Sequence, residues 1–106
     1  MKKRPAMIAS VVRGVVARVL PQCPPTCGIV SLTEIEVSAD FSYATCYVSA
    51  LGHIEEAMSF LESQAKGLQS ALGAELQMFR VPKIRFRVDE RTQRGMRIDA
   101  LLEGSE

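Results

Sequence analysis

Apolar residues near the start of the chain repeat with the period of an α-helix. They lie three and four positions apart over residues 8–20, while Arg13 and Arg18 lie off this stripe. Such spacing predicts an amphipathic helix that buries one face. Its many valines are weak helix formers, so packing must stabilise it. The prolines of residues 21–28 then predict the end of the helix and a stiff connector.

Two strands are predicted after the connector. Residues 29–37 are rich in β-branched and apolar side chains, but their alternation changes phase near Thr33. That change predicts a bulge, or a strand partly covered on both faces. Residues 43–50 alternate cleanly, with Ala, Cys and Val at the even positions. The short turn over residues 38–42 predicts an antiparallel hairpin.

A longer helical stripe follows the hairpin. Apolar residues continue at helical spacing over residues 54–76, with two glutamates in the first turn, where the helix dipole favours them. Glycine inside a helix costs about 0.5–1 kcal/mol relative to alanine. Gly67 therefore predicts a kink, or a break into two helices.

The last strand is predicted over residues 83–88. Its apolar residues alternate with Lys83, Arg85 and Arg87, which gives a half-buried strand with a basic outer face. Residues 91–106 are mostly polar and predict a loop followed by a short helix or a frayed tail. The element order predicts an α+β two-layer sandwich, a three-stranded sheet with helices on one face. The predicted core is Val12, Val15, Val16, Val19, Val48, Leu61, Leu68, Leu72, Ile84 and Phe86.

Composition narrows the class of protein. A chain of 106 residues makes one domain, and 47% hydrophobic with 24% charged residues excludes general disorder. It has no uninterrupted apolar run of about 18 residues, which excludes a membrane-spanning helix. Arginines interrupt the apolar stretch near the N-terminus, so it does not resemble a signal peptide. Three cysteines, an odd number, favour a reducing compartment, and we expect a cytoplasmic protein.

The net charge of +1 hides an uneven distribution. Residues 1–33 carry five basic and no acidic side chains, and residues 34–79 carry one basic against seven acidic. Residues 80–97 carry seven basic against two acidic. Two basic blocks around an acidic middle point to an anionic partner.

Catalytic and metal sites are weakly supported. The chain has one histidine, His53, and no motif for nucleophilic catalysis or phosphate binding. Cys23, Cys27, Cys46 and His53 nominally make a zinc ligand set, but their spacing does not match paired zinc ligands. We therefore expect Cys46 to be buried, the other two thiols to lie in the loop, and no cofactor or metal.

Arginine and lysine around the last strand are the strongest functional signal. Arginine binds phosphate bidentately, so these side chains are candidates for RNA contacts. The alternative is a solvated face partly neutralised by Glu34, Glu36 and Asp89. The candidate RNA-binding residues are Arg80, Lys83, Arg85, Arg87, Arg91, Arg94 and Arg97, with Lys2, Lys3, Arg4 and Arg13 as a second patch.

Two long segments resemble one protein family. IVSLTEIEVSADFSYATCYVS at residues 29–49 is similar to the conserved hairpin of bacterial ribosome-binding factor A. The end of the same family's domain is similar to a second segment. This segment is RVPKIRF at residues 80–86, followed by Asp89-Glu90 and by GMRIDALL at residues 95–102. The connector lacks the family's usual Asp-Pro-Arg-type run, and Arg91 replaces an expected serine.

The resemblance implies a KH-like (type II) fold. We expect one such domain over residues 1–106, with residues 98–106 as a frayed tail. It implies a kink at Ala65-Lys66-Gly67 in place of the usual KH Gly-x-x-Gly loop, and this adds Lys66 and Gly67 to the candidate RNA contacts. It implies a non-enzymatic assembly factor that binds the free small (30S) ribosomal subunit and assists late maturation and 5′-end processing of 16S rRNA. We expect a monomer that contacts no membrane, with an assembly GTPase left open as a partner. A general single-stranded RNA-binding module, or a protein-interaction domain using its acidic helix face, remains the alternative.

Overall fold

The predicted element order is present in the computed structural model, which describes residues 4–77 and 81–94. The predicted α+β class, with helices and a three-stranded sheet, is therefore confirmed. The elements are α1 (Arg4–Ala17), β1 (Val30–Val37), β2 (Tyr43–Ala50), α2 (Ile54–Ser63), α3 (Ala65–Leu76) and β3 (Lys83–Val88). No helix of the described residues is long and apolar enough to cross a membrane.

The sheet has the strand order β1-β2-β3. β1 and β2 form the predicted antiparallel hairpin, and the register shifts between Leu32 and Glu34. This shift confirms the bulge that the change of phase near Thr33 predicts. β3 lies parallel to β2. A parallel neighbour requires a crossover connection, which α2 and α3 provide.

One face of the sheet and the three helices enclose the core. The even residues of β2, from Ala44 to Ala50, are at most 1% exposed, and they share one buried cluster with Val12 and Val16 of α1. Eight of the ten predicted core residues are buried. Val19 and Phe86 are only half-buried, which corrects the prediction. Val19 follows the end of α1, and Phe86 lies on an edge strand with a neighbouring strand on one side only.

The long helical stripe does divide into two helices, but not at Gly67. α2 ends at Ser63 and α3 begins at Ala65, so the interruption is Gln64, with φ −91° and ψ −2°. The amide of Gln64 donates to the carbonyls of both Phe60 and Leu61. Gly67 lies in the first turn of α3, and a Cβ placed on it would meet nothing within 4 Å. The prediction of a kink or break at Gly67 is therefore wrong, and Ala65-Lys66-Gly67, where the resemblance implies a kink, forms the beginning of α3 directly after the interruption.

The connector is made of two 3₁₀ turns, Leu20–Gln22 and Pro25–Cys27. α1 ends earlier than predicted, at Ala17, and the chain turns before the first proline. Cys27 is fully buried, so it is not the loop thiol that the sequence predicts. The carbonyl of Cys27 accepts a hydrogen bond from the amide of Gly52 at 2.8 Å. The second 3₁₀ turn is thereby fastened to the loop that leads into α2.

The chain beyond β3 becomes helical sooner than predicted. Residues 90–94 form a helical turn directly after Asp89, without an intervening loop. The side chain of Gln93 pairs with both the amide and the carbonyl of Ala50, each at 3.0 Å. This turn is therefore held against the end of β2. The predicted frayed tail, residues 98–106, lies outside the described residues.

Candidate nucleic-acid interface

The face of the sheet opposite the helices presents alternate residues of all three strands. The parallel register places three residues of β2 beside three exposed basic residues of β3: Tyr43 beside Lys83, Thr45 beside Arg85, and Tyr47 beside Arg87. In the antiparallel register, Glu34 and Glu36 of β1 lie opposite Tyr47 and Thr45. Side chains directly opposite share a face. The open face thus has a basic edge on β3 and an acidic edge on β1.

Arg85 is held across the middle of this face. Its Nε donates to Oγ1 of Thr45 at 2.9 Å, and its guanidinium carbon lies 4.4 Å from the ring centre of Tyr43. That distance is within the range of a cation–π contact. Thr45 is only 5% exposed beneath the arginine, whereas Tyr43 remains 41% exposed. The other guanidinium nitrogens of Arg85 make no hydrogen bond among the described residues.

The basic edge makes no direct ion pair with its acidic neighbours among the described residues. Within residues 4–77 and 81–94, the one ion pair closer than 4.0 Å joins Arg18 to Glu75, in the helical layer. Adjacent strands are about 4.8 Å apart, so the backbones of β1 and β3 lie about 10 Å apart, with β2 between them. No direct ion pair of the described residues with Glu34, Glu36 or Asp89 therefore supports the alternative of a partly neutralised face. Charges left unpaired at a surface are available to an anionic ligand.

Asp89 ends the basic edge and has a structural role. Its carboxylate accepts hydrogen bonds from the hydroxyl of Thr33, from the amide of Thr92 at 3.2 Å and from the hydroxyl of Thr92 at 3.0 Å. The bond from Thr33, with those from Thr92 and the nearby charge of Arg91, holds the pKa of Asp89 below its usual value. The carboxylate joins the bulge of β1 to the turn at residues 90–94. Arg91 and Arg94 are exposed on that turn.

The second predicted patch is not brought to the basic edge. Arg13 is exposed on α1, and its guanidinium donates to the carbonyl of Leu32 on β1 at 3.1 Å. That contact lies at the opposite edge of the sheet from β3. Arg4 is the first residue of α1, and Lys2, Lys3, Arg80 and Arg97 lie outside the described residues. Arg13 therefore belongs to a surface separate from Lys83, Arg85 and Arg87.

Lys66 lies on α3 one turn before Gln69, which contacts the start of β3. Gln69, one turn further along α3, donates to the carbonyl of Pro82 at 2.8 Å and accepts from the amide of Ile84 at 3.0 Å. Residues three apart lie on one side of a helix. This contact places exposed Lys66 on the side of α3 that faces the beginning of the basic strand.

The cysteines are placed as packing residues. Cys46 is fully buried, and burial raises the pKa of its thiol to about 12. Cys23 is half-buried, and burial together with the neighbouring Cys27 raises the pKa of its thiol. Among the described residues, no three His, Cys, Asp or Glu side chains are grouped so that they could hold a metal ion. His53 is exposed just before α2.

Comparison with known proteins identifies the family of this chain. The family model of ribosome-binding factor A matches residues 4–102. The chain belongs to this family. A Neisseria gonorrhoeae ribosome-binding factor A is 32% identical over 81 residues, which are 74% of this chain and 66% of the relative. The chain thus spans just under two thirds of that family member's length.

Two family structures from Thermus thermophilus share the fold. The crystal structure of that organism's ribosome-binding factor A superposes with a TM-score of 0.67 at 22% identity, over 79% of this chain and 93% of the other. A homology model of the Thermus protein, fitted into a cryo-EM map of its complex with the 30S subunit, gives 0.66 at 21% identity, with the same coverage. At these identities, the likeness concerns the fold.

Proposed function

We propose that this chain is a ribosome assembly factor that binds the free small subunit through its 16S rRNA. Its action is non-catalytic, and it assists late maturation and 5′-end processing of that rRNA. In this proposal the chain acts in the cytoplasm as a monomer. Family membership supports the ribosomal target, as does the 30S complex into which the Thermus relative was fitted.

The row of Lys83, Arg85 and Arg87 carries the proposal. These side chains are exposed in one line on the uncovered face of the sheet, and no carboxylate of the described residues pairs with them. Phosphate oxygens are the ligands that such a row favours, because arginine presents a planar fork of donors. Most of the affinity would then come from the RNA backbone.

A sedimentation experiment tests the target. Purified protein is mixed with separated small subunits, separated large subunits and assembled ribosomes, and each mixture is run on a sucrose gradient. The proposal expects the protein to migrate with free small subunits and to remain at the top of the other two gradients. Equal migration with all three would instead indicate a general RNA-binding module.

Replacement of Arg87 tests the surface. Arg87 is exposed and makes no hydrogen bond or ion pair among the described residues, so Arg87→Ala should leave the fold intact. Arg18→Ala is the matched control, because it removes one positive charge from the helical layer instead. Affinity for small subunits should fall for Arg87→Ala, fall further for Arg85→Ala/Arg87→Ala, and change little for Arg18→Ala. Loss of affinity with the control alone would place the RNA surface on the helices.

The maturation role needs a cellular test. In a bacterium whose own ribosome-binding factor A gene is deleted, expression of this chain should reduce the fraction of 16S rRNA with an unprocessed 5′ end, measured by primer extension. The double variant should restore less processing than the parent at equal expression. Normal binding to small subunits with no change in 5′ ends would support binding and refute the processing role.

A further inference from the structure

Tyr43 and Arg85 form a stacked pair on the open face of the sheet. The phenol ring is 41% exposed, and the guanidinium lies over it at 4.4 Å from the ring centre. Thr45 fixes the arginine from below through a 2.9 Å hydrogen bond. Two flat groups, one aromatic and one cationic, are thereby held together at the surface before any ligand binds.

The hairpin turn fixes the backbone that carries this ring. The amide of Tyr43 donates to the hydroxyl of Ser38 at 3.0 Å, and its carbonyl accepts from the amide of Ser38 at 2.9 Å. Asp40 accepts from the Ser38 hydroxyl at 2.9 Å and from the amide of Ser42 at 3.1 Å. A group whose position is already ordered loses less entropy on binding. The stack therefore behaves as a rigid platform.

A nucleobase is the ligand that matches this platform. Bases of single-stranded RNA stack on tyrosine rings and on the planes of arginine guanidinium groups. Lys83 lies beside Tyr43 in the register, and Arg87 lies two residues beyond Arg85 on the same face. Cations on both sides of a stacking surface suit the phosphates on either side of one base.

We propose that the Tyr43–Arg85 pair stacks an unpaired base of single-stranded RNA, while Lys83 and Arg87 bind the adjoining phosphates. The inference rests on the proposed function, because it uses the same face of the sheet. It adds a claim about the bound RNA, namely that the base at this pair is unpaired. Bases within an A-form duplex are already stacked on one another, so only an unpaired base can reach the pair. The chain should therefore prefer single-stranded over double-stranded RNA.

Two variants and two forms of one RNA test the preference. A labelled oligoribonucleotide without self-complementarity is titrated with protein as a single strand and as a duplex with its complement, and binding is followed by anisotropy. Loss of a single base–aromatic stack weakens binding about 5- to 150-fold. Tyr43→Leu should lower the ratio of single-strand to duplex affinity by at least about fivefold. The conservative Tyr43→Phe should restore most of that ratio, because the ring is kept.

Tyrosine emission gives a second readout. The chain has two tyrosines and no tryptophan, so in a Tyr47→Phe background all tyrosine emission comes from Tyr43. Stacking of a base on the ring should quench this emission when the single strand is added, and the duplex should quench it much less. This readout uses the native ring and does not depend on how well Tyr43→Leu folds.

The outcomes separate this proposal from the one it rests on. If the affinity ratio and the emission are unchanged while Arg87→Ala still weakens binding, the stacking proposal is wrong and the phosphate contacts stand. If Arg87→Ala also has no effect on subunits or on either RNA, both proposals are wrong. Quenching by the duplex equal to that by the single strand would also overturn the stacking proposal.

Discussion

The contact between the connector and the loop before α2 leaves no room for a side chain at residue 52. A Cβ on Gly52 would lie 2.2 Å from the carbonyl oxygen of Thr26 and 2.7 Å from the carbonyl carbon of Cys27. Both obstacles are backbone atoms, so a flexible side chain cannot move aside to relieve them. Gly52→Ala must therefore separate the two segments.

The cost follows from what the separation breaks. Overpacking a tight site costs about 1–3 kcal/mol. The amide of Gly52 donates to the carbonyl of Cys27 at 2.8 Å, and the amide of His53 donates to that of Thr26 at 3.0 Å. Each weakened hydrogen bond costs about 0.5–1.5 kcal/mol. The sum is about 2–6 kcal/mol, a large part of the 5–15 kcal/mol that stabilises a typical domain.

Thermal unfolding followed by circular dichroism measures this cost. At about 4–8 °C per kcal/mol for a domain of this size, Gly52→Ala should lower the Tm by at least about 8 °C. Gly14→Ala is the matched control, since a Cβ at this exposed position of α1 meets nothing within 4 Å. The control should gain about 0.5–1 kcal/mol from the better helix propensity of alanine. A Tm for Gly52→Ala within about 4 °C of the parent would refute the close approach.

Four further predictions use the same assays. Gly67→Ala should be neutral or stabilising by Tm, because the interruption lies at Gln64, and a large loss would return the break to Gly67. Phe86→Ala should cost about 1.5–3 kcal/mol by urea unfolding, less than the 3–5 kcal/mol of a fully buried phenylalanine, and a cost above that range would show Phe86 to be part of the core. Because the pKa of Asp89 is lowered in the folded protein, its ionised carboxylate stabilises the fold above about pH 4, and this stabilisation is lost as the pH falls through that pKa. The Tm difference between the parent and Asp89→Asn should therefore shrink below about pH 4. A difference independent of pH would contradict the hydrogen bonds from Thr33 and Thr92 to this carboxylate. Cys46 should react with a thiol reagent at pH 8 only after unfolding, because burial raises its pKa to about 12, and fast labelling of the native protein would contradict its burial.

Local periodicity was sufficient to predict the order and type of the main helices and strands. The alternation over residues 43–50 predicts β2 with its bounds, and the change of phase near Thr33 predicts the bulge. Both signals arise because successive side chains of a strand point to opposite faces of the sheet, so buried positions recur at every second residue. The basic face of β3 was predictable for the same reason.

Contacts between distant parts of the chain could not be predicted in this way. The hydroxyl of Thr33 reaches Asp89 across 56 positions, and nothing in either local pattern marks them as partners. A glycine shows where a helix is weak, but Gln64, where the chain bends between α2 and α3, has no such local signal. The burial of Cys27 likewise depends on packing between the connector and α2. The Tyr43–Arg85 stack needed the parallel register of β2 and β3, which the sequence alone did not supply.

The salt dependence of binding to purified small subunits tests the central claim, that the basic edge of β3 contacts rRNA phosphates. The logarithm of affinity should fall linearly with the logarithm of salt concentration for the parent. Loss of each phosphate contact should reduce the slope by about 0.7–0.9, so Arg85→Ala/Arg87→Ala should bind more weakly with a shallower slope. Arg18→Ala, with its charge in the helical layer, should keep the parental slope. If the double variant keeps both the affinity and the slope of the parent at every salt concentration, the open face of the sheet does not contact the RNA.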